Sequence, residues 1–331
     1  MRRYLIPRTD LWAAPICLGT GSFKPDQEKH CHDLLDCFAD LGGNLVDTAS
    51  SYGQQKTGDP SVSEQIIGRW LQSRGQPADI LLSTKGGHPW LEDLHRPRLD
   101  AASLSADLDQ SRKNLGRDTI DLYLLHRDDP AQPVEAMLSH LETFRQLGRI
   151  RYYGLSNWSA SRVSQALEWC SQLSDSGLAV VQNRWSLARY NPEGTSDDTL
   201  VAVDEPMYRL LEHKNMALLA YSAMAKGFFS KWLSCCEENQ AESDEPGIPE
   251  KLKKYYMNEI STRRATAVSR IAAAHETQPS SIALAWLLAH RFPVFPVAAF
   301  SAIRQLEEAM TAPAIDLTPD EVMTLSAGSD W

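Results

Sequence analysis

Four residues of types that can relay a proton stand at comparable places in this chain of 331 residues: Asp47, Tyr52, Lys85 and His126. Asp47 follows the short apolar run Leu45-Val46, and Tyr52 comes five residues later in Thr48-Ala49-Ser50-Ser51-Tyr52-Gly53. Lys85 ends Ile80-Leu81-Leu82-Ser83-Thr84, and His126 ends Ile120-Asp121-Leu122-Tyr123-Leu124-Leu125. Each has an ordinary explanation: a turn-forming aspartate, a surface lysine, a loop histidine. Together they suggest tuned proton transfer. A free tyrosine has a pKa of about 10 and is a weak donor near neutrality. A neighbouring ammonium, or a hydrogen bond from a histidine, favours the phenolate. Lowering that pKa by about three units needs ~4 kcal/mol of differential interaction, more than an exposed contact supplies. The expectation is a desolvated site in which Lys85 lowers the pKa of Tyr52 and Asp47 keeps Lys85 charged. One histidine, with the carboxylate committed to a cation, argues against a metal.

The same layout recurs further on. Ser156-Asn157 follow Arg151–Leu155, Gln182 follows Leu178–Val181, and Tyr221 follows Met216–Ala220. From Asp47 the steps are 38, 41, 30, 26 and 39 residues, one strand-plus-helix unit each. Pro15–Leu18 predicts a first strand and Phe292–Val297 a last one. Helical stripes lie between, such as Leu34, Leu35, Phe38 and Leu41 before Gly42, and Leu104, Leu108 and Leu115 before Gly116. Ser61-Val62-Ser63-Glu64 reads as a capping box. Ala267–Ala289 is helical with an interruption near Pro279, and Ser301 to Met310 is a last helix. About eight such units without a dividing linker predict an α/β fold, a (β/α)8 TIM barrel in one domain over 1–331. Strand-end residues would then surround one mouth. A long insertion after the seventh strand, the polar and acidic Ser234–Asn258, is expected on that face, as a surface loop or a flap.

With 43% hydrophobic and 23% charged residues the chain is an ordinary globular protein, and a net charge of -10 argues against nucleic acid. No run approaches the ~18 apolar residues of a membrane helix. Met1–Pro7 lacks the apolar core of a signal peptide. Six cysteines are scattered without paired spacing, as in a reduced, cytoplasmic protein.

Gly43–Gly53, Ser83-Thr84-Lys85-Gly86, Asp121–His126, Gly154-Leu155-Ser156-Asn157 and Ala220-Tyr221-Ser222, in this order, resemble the aldo-keto reductase family over nearly the whole chain. The resemblance implies a catalytic tetrad at Asp47, Tyr52, Lys85 and His126, and a nicotinamide cofactor held without a Rossmann fold. Gly19-Thr20-Gly21-Ser22-Phe23 is only a partial G-x-G-x-x-G; Gly21 and Ser22 are assigned to the cofactor with Asp47. Ser156, Asn157 and Gln182 would hold the carboxamide, and Tyr221 would stack on the ring. Ser222–Gly227, with Met224 and Lys226, would wrap the pyrophosphate, while Ser301, Gln305 and Glu308 would hold the adenosine end. Many relatives carry a cation near Ala299 and an asparagine at Ala309; this chain has neither, leaving Arg304 as the nearby cation. At a helix start an arginine can fork onto a phosphate, so NADP(H) is preferred and NAD(H) remains possible. The expected activity is reduction of a small-molecule carbonyl, aldehyde or ketone. Phe23, His88, Trp90, Arg127 and Asp128 are candidate substrate contacts whose mixture suits a polar, sugar-type carbonyl. Two alternatives stand beside it: a cofactor-sensing regulatory subunit on the same fold, and a lyase or isomerase forming a Schiff base at Lys85.

Overall fold

The structure, a computed structural model, describes residues 1–53, 61–238 and 247–329. Eight parallel strands close into a barrel in chain order: β3 (Cys17–Gly19), β4 (Leu45–Asp47), β5 (Leu81–Gly86), β6 (Ile120–Leu125), β7 (Ile150–Ser156), β8 (Leu178–Gln182), β9 (Ala217–Tyr221) and β10 (Val294–Ala298), with β10 pairing back onto β3. Strands covered on both faces read as continuous apolar runs, and β5 is buried along its whole length. One set of strand side chains, including Leu18, Val46, Leu82 and Tyr123, packs outward against the helices. Another, including Cys17, Leu45, Leu122, Leu219 and Phe295, fills the interior.

The barrel floor was not foreseen. A short antiparallel hairpin, β1 (Tyr4–Leu5) with β2 (Trp12–Ala13), adds Ile6, Leu11 and Ala13 to the interior cluster. Asn44 fastens it: its Oδ1 accepts from the Ala14 amide at 2.7 Å, and its Nδ2 donates to the Trp12 carbonyl at 2.9 Å.

The outer ring is α1 (Glu28–Asp40), α2 (Val62–Ser73), α3 (Ala101–Leu115), α4 (Val134–Gln146), α5 (Ala160–Cys170), α6 (Glu205–Lys214), α7 (Phe228–Glu238), α8 (Glu250–Tyr256), α9 (Glu259–Ala274), α10 (Pro279–Leu288), α11 (Ile303–Ala309) and α12 (Pro319–Leu325). Gly116 ends α3 in the left-handed region, φ 63°. Pro279 opens α10, so the expected interruption is a boundary between two helices.

Two local expectations fail. Ser61 does not cap α2: its φ is 69° and its hydroxyl donates to the Ser50 carbonyl at 2.8 Å. Glu64 is instead buried behind β5, accepting from Thr84 Oγ1 at 2.6 Å and Asn114 Nδ2 at 3.2 Å. Buried donors outcompete a cap, because leaving them unpaired costs more than the cap supplies. The insertion is also more ordered than a loop. Ser234–Glu238 continue α7, and α8 buries Leu252 and Tyr256 while Asn191 bonds the carbonyls of Lys254 and Met257. Residues 239–246, the middle of the expected loop or flap Ser234–Asn258, lie outside the described residues. Among the described residues no helix is long and apolar enough to cross a membrane.

Gly68 on α2 faces α3 so closely that a Cβ would lie 1.8 Å from the Asn114 carbonyl oxygen. We expect Gly68→Ala to lower the unfolding free energy by about 1–3 kcal/mol, read as an earlier urea midpoint at unchanged slope; an unshifted midpoint would mean the helices part freely.

Candidate active site

Strand ends bring the sequence-separated groups together. The Lys85 side chain, 1% exposed, points into the barrel mouth and spends its ammonium on three acceptors. These are Asp47 Oδ2 at 2.8 Å, the Thr48 carbonyl at 2.6 Å and the Tyr52 hydroxyl at 3.2 Å. Asp47 is saturated in turn: its Oδ1 accepts from Ser83 Oγ at 2.8 Å and Gln182 Nε2 at 2.9 Å. Burial works against the Lys85 charge, but Asp47 and Tyr52 outweigh it and raise the lysine pKa above its ordinary value.

Tyr52 departs from expectation. Burial pushes its pKa up; the Lys85 charge pulls it down and the Asp47 charge pushes it back, so the net direction is upward. The phenol is kept protonated, because burial outweighs the pull of Lys85, part of which Asp47 offsets.

His126 sits edge-on to Tyr52 with ring centroids 6.0 Å apart, and edge-on to His88 at 4.7 Å. Ser51 Oγ lies 3.4 Å from its Nδ1. Burial, with His88, Arg127 and Lys85 acting the same way, holds the His126 pKa well below the ordinary value and keeps the imidazole neutral.

From this corner a cleft of about 950 Å³ runs across the mouth. Gly21 and Ser22 after β3, Ser156 and Asn157 after β7, Gln182 after β8, and Tyr221, Ser222, Met224 and Lys226 after β9 all line it. So do Ser301, Arg304, Gln305 and Glu308 after β10. Asn157, φ 60°, accepts the Tyr221 hydroxyl at 2.7 Å, fixing the tyrosine ring at the cleft wall. Lys226 and Gly227 have φ values of 55° and 77°, and Ser222 and Ala225 are also left-handed. Strained non-glycine backbone of this kind concentrates at ligand clamps.

This loop fits an anionic group. Burial, then Lys251, Arg184 and Lys231, lowers the Lys226 pKa, and no carboxylate pairs with Lys226 among the described residues. A crowded cation with no paired carboxylate among the described residues suits a pyrophosphate. At the far end Arg304, its side chain 83% exposed, pairs with Glu308 at 2.8 Å. Ser301 Oγ donates to Gln305 Oε1 at 3.0 Å.

The substrate candidates scatter. Arg127 lines the cleft, and His88 backs His126 with its Nδ1 2.7 Å from the Pro89 carbonyl. Phe23 is buried in the apolar core, and Trp90 is exposed on the surface beneath Arg98. Asp128 is tied to Arg162 at 2.8 Å and does not line the cleft. Sequence reading missed Leu200, Gln278 and Lys231 on the cleft wall. Leu200 lies in the long stretch between β8 and α6, where no periodicity marks it; Lys231 was readable only as one more helix charge.

Comparison with known proteins gives the chain a family and its fold a counterpart. The family model for the Aldo/keto reductase family matches residues 15–329. An aldo-keto reductase of Schizosaccharomyces pombe, yakc, whose name specifies NADP(+), is 26% identical over 95% of this chain and 87% of its own. An aryl-alcohol dehydrogenase of Pestalotiopsis microspora is 24% identical, covering 99% of this chain and 82% of its own. The crystal structure of a thermostable aldo-keto reductase, Tm1743, with the inhibitor epalrestat shares the fold, with a TM-score of 0.72 at 22% identity over 99% of both chains.

The neutral His126 has a consequence for stability. An unfolded histidine takes up a proton near pH 6.5 and the folded one resists it, so the stability it contributes is full above that pH and is lost as pH falls below it. His88, also lowered, and His290, lowered to about 3, act in the same sense. We expect His126→Asn to reduce, without abolishing, the loss of urea stability between about pH 6.5 and 5; an unchanged loss would place the proton uptake elsewhere.

Proposed function

The chain belongs to the aldo/keto reductase family, and from that premise we propose that it is an NADPH-dependent reductase of aldehydes and ketones with Tyr52 as proton donor. The observation that carries the reading is the buried triad in which the Lys85 ammonium meets Asp47, Thr48 and the Tyr52 hydroxyl. A bound nicotinamide cofactor supplies the hydride for the carbonyl carbon. Tyr52 gives its phenolic proton to the carbonyl oxygen, and Lys85 stabilises the phenolate left behind until solvent reprotonates it. Asp47 keeps Lys85 charged through that cycle. Neutral His126 directs an N–H at the oxygen as negative charge develops.

Ser156, Asn157 and Gln182 hold the carboxamide. Gln182 spends its Nε2 on Asp47, which leaves its Oε1 to accept. The Tyr221 ring provides the flat wall, and the Ser222–Gly227 loop with Lys226 receives the pyrophosphate. Arg304 would leave Glu308 to meet a 2′-phosphate, and the S. pombe relative, named for NADP(+), supports NADP(H) over NAD(H). A Schiff base at Lys85 is disfavoured, since all three of its donors are committed and its charge is stabilised. We take the whole chain as one catalytic domain working in the cytoplasm.

For the substrate we favour a polar, sugar-type carbonyl, supported by the polar lining of the cleft beside the tetrad. The aryl-alcohol dehydrogenases among the relatives favour a second reading, an aromatic aldehyde. A panel of hydroxylated, aromatic and bulky apolar carbonyls separates them by kcat/KM, and superior turnover of bulky apolar ketones defeats both.

Tyr52→Phe should lower kcat by about 10²–10⁴ with the cofactor Kd nearly unchanged; activity within threefold of wild type would remove Tyr52 from its role. NADPH should bind roughly ten- to hundredfold more tightly than NADH, the worth of one charge-assisted contact. Arg304→Ala should erase most of that preference, and an undiminished preference would mean Arg304 stays with Glu308.

A further inference from the structure

Arg127 borders the cleft directly after His126, yet its guanidinium is committed elsewhere. Nη1 donates to the His126 carbonyl at 2.8 Å, Nε to Thr199 Oγ1 at 2.8 Å and Nη2 to Asp197 Oδ2 at 3.2 Å. Its side chain is 8% exposed and that of Asp197 21%. Thr199 completes the clasp, its amide and hydroxyl donating to Asp197 Oδ1 at 3.0 and 2.5 Å. Beyond it, the Val201 amide donates to Asn157 Oδ1 at 3.1 Å, and the Val201 carbonyl accepts from the Arg184 amide at 3.0 Å. Leu200 is therefore pinned on both flanks. It lines the catalytic cleft on one side and an adjoining cavity of about 540 Å³ on the other.

We infer that the Arg127–Asp197–Thr199 clasp fixes Leu200 as the wall between the catalytic corner and the second cavity, and that this wall excludes bulky carbonyl substrates. Leu200 is then the specificity-determining residue and Arg127 a positioning residue that acts through it. Three of its five N–H groups are spent on protein acceptors and its charge is paired with Asp197, which weakens its pull on a substrate carboxylate, so size more than charge is read at this point of the cleft. The selectivity rests on the reductase reading; the clasp itself does not.

Two readouts test this in the full chain. The first is the kcat/KM ratio for 2-naphthaldehyde over propanal with NADPH, and the second is hydrogen exchange at the Thr199 and Val201 amides. Leu200→Ala should raise the ratio by about tenfold or more, the scale on which an apolar pocket discriminates size. Asp197→Asn should raise it in the same direction and speed exchange at both amides, with Arg127→Lys intermediate in both. A ratio unchanged in Leu200→Ala, or both aldehydes declining equally in Asp197→Asn, overturns the wall. Wild-type protein that reduces neither aldehyde defeats the reductase reading and the size selection with it. The clasp is then judged by exchange alone: faster exchange in Asp197→Asn upholds it, and unchanged exchange overturns it.

Discussion

A lysine ammonium buried in the mouth of a barrel is the constraint on which the site depends. An isolated charge in such a place is very unfavourable, and it persists only where its donors are matched and its counter-charge is near. Lys85 meets that condition through Asp47, the Thr48 carbonyl and Tyr52. Asp47 is in turn anchored from β5 by Ser83 and from β8 by Gln182. Three strands and the loop after β4 must therefore hold their register for one cation to be tolerated. The register does so: Asp47 stands beside Ser83, and Ser156 beside Gln182. The same network leaves the phenol of Tyr52 protonated at the cleft, so the interaction that makes the burial tolerable also prepares a proton donor.

The fold was largely legible because a strand buried on both faces and a helix with one apolar stripe leave different periods in the sequence, and here they alternate. Strand-end polar residues followed from that alternation, and every residue assigned to the cofactor lines one cleft. What escaped is local or long-range. The hairpin β1–β2 has strands of two residues each, too short for any period. Ser61 and Glu64 fit the capping pattern, but Thr84 and Asn114, distant in sequence, decide where Glu64 goes.

Composition misled for the substrate contacts and for the tyrosine. Phe23 and Trp90 have the right chemistry to meet a ligand, yet one is core and the other lies on the surface. Asp128 has its own arginine in Arg162, on α5. The direction of the Tyr52 shift depended on burial outweighing the Lys85 charge, with Asp47 adding to it, a balance that sequence spacing does not carry.

The barrel floor bears on how the chain is made. β3 closes against β10, so the strand from residues 17–19 waits for residues 294–298 before its second edge is paired. The hairpin that seals the floor is held by contacts as distant as Arg8 to the Lys214 carbonyl, 206 residues apart. Residues 4–19 are made well before these partners and are thus among the last to find their place. Until then an unpaired parallel edge and the apolar residues Ile6 and Leu11 stay accessible, which favours slow, non-local folding.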